Sequence, residues 1–151
     1  MWDKELMCSN QQDLSQVAGT YYSEGSVDLG AIGTRPYVGG SPIADLMRGG
    51  KLEFVVQVTE TFVSGTTNST LVVSLVGSNT ATDLSDGIAV YDTSLTIAEA
   101  TLVAGYEFFV DWPLDVAKRY IGCRYVIGVA TTTAGKISAG FQFNRNTAHP
   151  R

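Results

Sequence analysis

Apolar and polar residues alternate with a period of two along much of this chain. Across residues 52–58, Leu52, Phe54, Val56 and Val58 alternate with Glu53, Val55 and Gln57. Across 106–112, Tyr106, Phe108, Val110 and Trp112 alternate with Glu107, Phe109 and Asp111. Across 136–143, Ile137, Ala139, Phe141 and Phe143 take one side and Ser138, Gly140 and Gln142 the other. Such spacing gives a strand one apolar face and cannot form a helical stripe. Further strands are expected at residues 70–76, 88–92, 119–129 and 27–29, with a weaker one near Leu102. In 119–129 the inward register is Ile121, Cys123, Tyr125, Ile127 and Val129. Turn-rich residues at 64–68, 78–87 and 131–135 separate these runs. About eight short strands, with no helix long enough to cross between parallel strands, predict an all-β fold, an antiparallel sandwich or barrel. A jelly roll of two four-stranded sheets is the leading architecture.

Two regions break the pattern. Residues 1–16 carry Trp2, Leu6, Met7 and Leu14 among polar neighbours and read as an N-terminal arm that docks onto something. Residues 31–50, rich in glycine and holding Pro36 and Pro42, read as a long loop with one helical turn near 44–48. A loop of that length in a small domain is usually functional or ordered by a partner. The chain thus divides into an arm, 1–16, and a single jelly-roll domain, 17–151.

Composition agrees. Val, Thr and Gly occur sixteen times each, and β-branched side chains suit a pleated surface. With 151 residues, 44% of them hydrophobic, one domain can bury a core without covalent staples. The two cysteines, Cys8 and Cys123, provide no disulfide framework. A net charge of -5 has the wrong sign for binding nucleic acid. The apolar runs fall far short of the ~20 residues that a membrane helix needs. The charged start does not read as a secretory signal, so synthesis in a reducing cytoplasm is expected.

The inventory for catalysis is thin. His149 is the sole histidine and lies close to Arg151, where chains fray, so neither a catalytic triad nor a cupin-type metal site can be assembled. Cys123 reads as a small buried hydrophobe and Cys8 as incidental in the arm. A glycosidase-like carboxylate pair could draw on Asp83, Asp86, Asp92, Asp111 and Asp115, but Asp83 and Asp86 look like turn formers and Asp111 alternates outward. The P-loop and dinucleotide patterns are broken, at Ala130 and Ile137 and around Gly30 and Gly33. No cofactor or metal is expected.

Several segments, taken in order, resemble a known family. They are Met1-Trp2-Asp3-Lys4-Glu5-Leu6 with Ser9 and Gln12, Val27-Asp28-Leu29-Gly30, and Phe54-Val55-Val56-Gln57-Val58. Thr101-Leu102-Val103-Ala104-Gly105-Tyr106, Lys118-Arg119-Tyr120-Ile121 and Thr133-Ala134-Gly135-Lys136 follow. Their order resembles the capsid cement, or decoration, proteins of tailed bacteriophages, and is similar to the cement protein family of a Bordetella phage. The likeness runs from about Met1 to Phe143, although residues 31–50 are longer here. It implies a jelly-roll subunit without enzymatic activity that forms a homotrimer on the capsid exterior of the virion and spans junctions between major capsid protein subunits.

A cement protein needs stiffness and matched surfaces. Val55, Val72, Phe109 and Val126 would face outward as apolar positions. Trp2, Lys4 and Leu6 of the arm, with Arg35, Tyr37 and Arg48 of the loop, are the candidates for capsid or intersubunit contacts, since aromatic residues and arginine commonly anchor interfaces. The alternative is a carbohydrate- or receptor-binding virion module exposing Tyr21, Tyr22, Tyr91 or Trp112 around a shallow cleft.

Overall fold

A computed structural model of the chain describes residues 4–29, 52–86, 88–110 and 118–143. Short 3₁₀ turns lie at Lys4–Leu6 and Glu99–Thr101. The strands are β1 (Met7–Asp13), β2 (Gly19–Tyr22), β3 (Val27–Asp28), β4 (Leu52–Ser64), β5 (Thr70–Ser78), β6 (Ala89–Thr93), β7 (Ile97–Ala98), β8 (Glu107–Val110), β9 (Tyr120–Gly128) and β10 (Thr132–Phe143). One sheet runs β1-β10-β4-β8 and the other β2-β9-β5-β6, with β3 also on β9 and β7 also on β5. Every pairing is antiparallel. The protein is an all-β antiparallel sandwich.

The alternation explains the core. Phe54, Val56 and Val58 of β4 and Ile137, Ala139 and Phe141 of β10 are buried against Leu71, Val73 and Leu75 of β5 and Ile121, Cys123 and Tyr125 of β9. Phe54 and Phe141 meet edge to face, centroids 4.9 Å apart, an arrangement that suits the ring quadrupoles. On the outer faces, Phe109 is exposed as expected, and Val72 and Val126, paired in register, are half-buried. Val55, opposite Phe109, is fully buried.

Four further readings, besides the outward placing of Val55, are corrected. Residues 7–13 are not an arm outside the sandwich: they form β1, paired with β10, and Cys8, Leu14 and the preceding Leu6 join the core. Register shifts between Met7 and Ser9 and between Ser9 and Gln12, with Gln11 at φ 50°, disguise the alternation. Leu102 lies in no strand; it enters the core from the turn after Glu99–Thr101. Residues 132–135 belong to β10 rather than to a turn. Val129 is exposed, because the chain reverses after Gly128 before the inward register reaches it.

Four connections cross between the sheets at one end of the sandwich: residues 14–18, 65–69, 99–106 and 129–131. The register places them together. Thr70 pairs with both Gly128 and Ala98, Gly19 pairs with Ile127, and Thr132 pairs with Ser64.

Candidate functional site

Trp2, Arg35, Tyr37 and Arg48 lie outside the described residues. Lys4 is exposed on the first 3₁₀ turn, whereas Leu6 is buried in the protein's own core and offers no surface to a partner. Lys4 and Leu6 therefore do not form a joint contact patch.

The four-connection end has the character of an interface. The single Asp, Glu, Lys or Arg in its connections is Glu99, and Glu99 is buried. Seven large apolar side chains are exposed among the described residues, and four of them belong here. Val17, Val103 and Val129 lie in the connections, at 63%, 47% and 72% exposure, and Val63, at 46%, is the penultimate residue of β4. Scattered exposed apolar residues are ordinary, but their concentration around connections whose one charged residue is buried resembles the centre of a protein interface, from which charged residues are depleted.

Two tips of this end hold unfavourable backbone. Val129 has φ 68°, and the Ala130 N–H donates to the Gly128 carbonyl at 2.8 Å, which makes the rare positive-φ γ-turn. Thr67 sits at φ 56° in the β4–β5 turn. Both residues are β-branched, the type least suited to this region, where glycine would sit freely. Strain of about 1–3 kcal/mol at such positions persists only where the surroundings enforce it, and it clusters at functional sites.

Glu99 provides much of that enforcement. Its Oε1 accepts the Ser64 N–H at 3.0 Å; its Oε2 accepts the Ser64 hydroxyl at 2.5 Å and the Ser69 N–H and hydroxyl at 3.0 and 2.7 Å. Desolvation alone would raise the carboxyl pKa, but the hydrogen bonds from Ser64 and Ser69 together outweigh it and bring the group down to about 2. One carboxylate thus locks the β4–β5 turn to the β7–β8 connection. Thr132 does the same for residues 14–18: its N–H donates to the Gln16 carbonyl at 3.0 Å, and its hydroxyl donates to the Leu14 carbonyl and accepts the Gln16 N–H. The Ala104 N–H donates to the Thr61 hydroxyl at 3.0 Å. The end is a rigid platform.

The other candidate residues have structural partners. The hydroxyl and N–H of Ser85 hold the Asp83 carboxyl below its ordinary pKa and shape a turn, and Asp86 accepts the Thr80 hydroxyl. The Tyr21 hydroxyl donates to the Val17 carbonyl, and the Tyr91 hydroxyl accepts the Lys118 N–H. Asp111, Trp112, Asp115 and His149 lie outside the described residues. Among the described residues no group of three His, Cys, Asp or Glu is placed to hold a metal ion.

The signal for the platform is present in the sequence: the four connecting segments hold no charged residue but Glu99, and three of them carry a valine where turns usually carry polar residues. Only the strand order gathers them, because they are spread from residue 14 to residue 131.

Fold and site together define an antiparallel β-sandwich protein with a rigid, apolar candidate contact end. Residues 12–141 match the model of the Bbp16 family, so the chain belongs to the Bbp16 family, whose name marks it as phage-related. No curated protein matches the chain.

Proposed function

We propose that this protein is a capsid cement protein: it binds the outside of a phage head and stabilises contacts between major capsid protein subunits, with the four-connection end as a contact surface. The observation that carries the reading is the exposure of Val129 and its apolar neighbours on connections that present no exposed charged side chain, in a protein of net charge -5. Membership of a phage-related family and the ordered resemblance to cement proteins support it. So does the strand order. With β2 and β3 counted as one strand and β6 and β7 as another, the sheets read first-eighth-third-sixth and second-seventh-fourth-fifth, the order of a jelly roll.

Cementing of this kind needs no bond-making chemistry. A protein that binds the assembled shell and not its separated subunits stabilises the shell by mass action. A homotrimer would engage three lattice sites at once, and local concentration would multiply the effect. The glycan-binding alternative draws no support from Tyr21 and Tyr91, which pack against the core with their hydroxyls engaged.

Purified protein mixed with undecorated heads should co-sediment to saturation and raise the temperature at which the heads rupture. Sedimentation equilibrium of the free protein should give a trimer. Absence of both attachment and added heat resistance would overturn the proposal.

A further inference from the structure

Cys8 and Cys123, the only cysteines in the chain, come from opposite sheets and meet in the core. Residues 23–25 bring their backbones together: the Gly25 N–H donates to the Cys8 carbonyl at 2.8 Å and the Ser23 N–H donates to the Cys123 carbonyl at 2.8 Å. The Cys123 N–H returns a bond to the Ser23 hydroxyl at 3.0 Å. The Cys8 thiol donates to the Ile121 carbonyl at 3.6 Å, two residues along β9 from Cys123, and the Cys123 thiol contacts Cys8 itself. Both cysteines are free.

We propose that Cys8 and Cys123 are a latent disulfide site, open under reducing conditions and closed by a small disulfide oxidant to staple β1 to β9 across the sandwich. The oxidant class is a low-molecular-weight disulfide such as oxidised glutathione. One cysteine thiolate attacks it, forming a mixed disulfide and releasing one reduced thiol. The second cysteine attacks the protein sulfur of that mixed disulfide, forming Cys8–Cys123 and releasing the second reduced thiol. The two cysteine protons pass to the departing thiolates, so two protein thiols are oxidised and one external disulfide is reduced.

Access comes through Cys8. It lies on an edge strand with interrupted pairing, the kind of element that opens locally before the rest of a domain, whereas Cys123 lies on a strand paired on both sides. Burial pushes the Cys123 thiol well above the ordinary thiol range, which makes the exchange slow and unsuited to turnover. The closed loop spans ~115 residues, a length at which a cross-link strongly restricts the unfolded chain. The staple acts whether or not the apolar end docks on a shell.

The test incubates the full-length native protein with oxidised glutathione or with dithiothreitol, at temperatures up to a few degrees below melting. With oxidised glutathione, denatured thiol titration should fall from two groups to none and the intact mass should drop by two hydrogens without an adduct. The monomer band should run faster without reductant. Tm should rise by roughly 10 °C and return on reduction. Cys8→Ser and Cys123→Ser should each show no such rise. Oxidised wild-type protein alone decides the matter: two surviving thiols, glutathione adducts or intermolecular dimers in place of the internal bond, or a bond that leaves Tm unchanged or lower, would each overturn the proposal.

Discussion

Replacing Glu99 by glutamine tests how the apolar end is held. The substitution keeps the shape but exchanges an oxygen that accepts hydrogen bonds for an amide that donates them. Three donors converge on Oε2, from the Ser64 hydroxyl and the Ser69 hydroxyl and N–H. The two hydroxyls can rotate to accept instead; the Ser69 N–H cannot, and it stays buried without a partner. The pKa of an ordinary glutamate, 4.5, brought to about 2 corresponds to roughly 3 kcal/mol of preference for the folded state. Because the folded-state pKa is depressed, that stabilisation is fully present above pH 4.5 and is lost as pH falls from there to about 2. Glu99→Gln should therefore lose about 3 kcal/mol at pH 7, a drop in Tm of about 6–12 °C for a chain of this size. At pH 2 the gap between variant and parent should nearly close. Urea unfolding followed by far-UV circular dichroism at both pH values measures this, and the difference between the proteins cancels carboxylates common to both, including Asp13, which the Ser15 hydroxyl and N–H also hold below its ordinary pKa. A variant as stable as the parent at pH 7, or a gap of the same size at pH 2, would refute the reasoning.

Three further substitutions probe other parts of the structure. Val129→Gly removes backbone strain along with an exposed side chain, so thermal melts should show stability unchanged or raised by up to about 1 kcal/mol while attachment to heads weakens; a clear loss of stability would show that the valine serves the fold. Tyr125→Phe deletes the buried hydroxyl that lies 2.7 Å from the Ser9 hydroxyl, and urea unfolding should report a loss of about 1–3 kcal/mol. Gly122→Ala drives a methyl group into Leu84 and to 2.7 Å from the Ser23 hydroxyl, so calorimetry should show a cost of about 1–3 kcal/mol unless the cover over β9 lifts freely.

The sandwich was legible in the sequence where one strand face is uniformly apolar. Phe54, Val56 and Val58, and Ile137, Ala139 and Phe141, reveal their strands because nothing polar shares their buried face. β1 was not legible, since its buried positions include Ser9 and Gln12. These are tolerated inside because Ser9 bonds Gln12 and the Tyr125 hydroxyl, while the Gln12 amide donates to the Tyr22 carbonyl. Alternation carried Val129 inward on paper; a positive φ is a property of the turn and leaves no mark in the residue pattern. The candidate contact end escaped for a related reason. Trp2, Arg35, Tyr37 and Arg48 are the residue types that usually anchor interfaces, whereas the apolar end displays Val17, Val103 and Val129, which gain their meaning from being exposed together.

The most direct measurement is saturation binding to undecorated heads, comparing the wild-type chain with a Val17→Asp, Val129→Asp double variant in low salt and in 1 M salt. Both proteins should keep the same circular dichroism spectrum, since the two side chains point into solvent. The wild type should bind with an affinity that salt leaves intact, as expected for a contact without free charge, and the double variant should bind at least ~10-fold more weakly. A double variant that decorates heads as tightly as the wild type, or wild-type attachment that collapses in high salt, would contradict the assignment of this end as the surface that meets the shell.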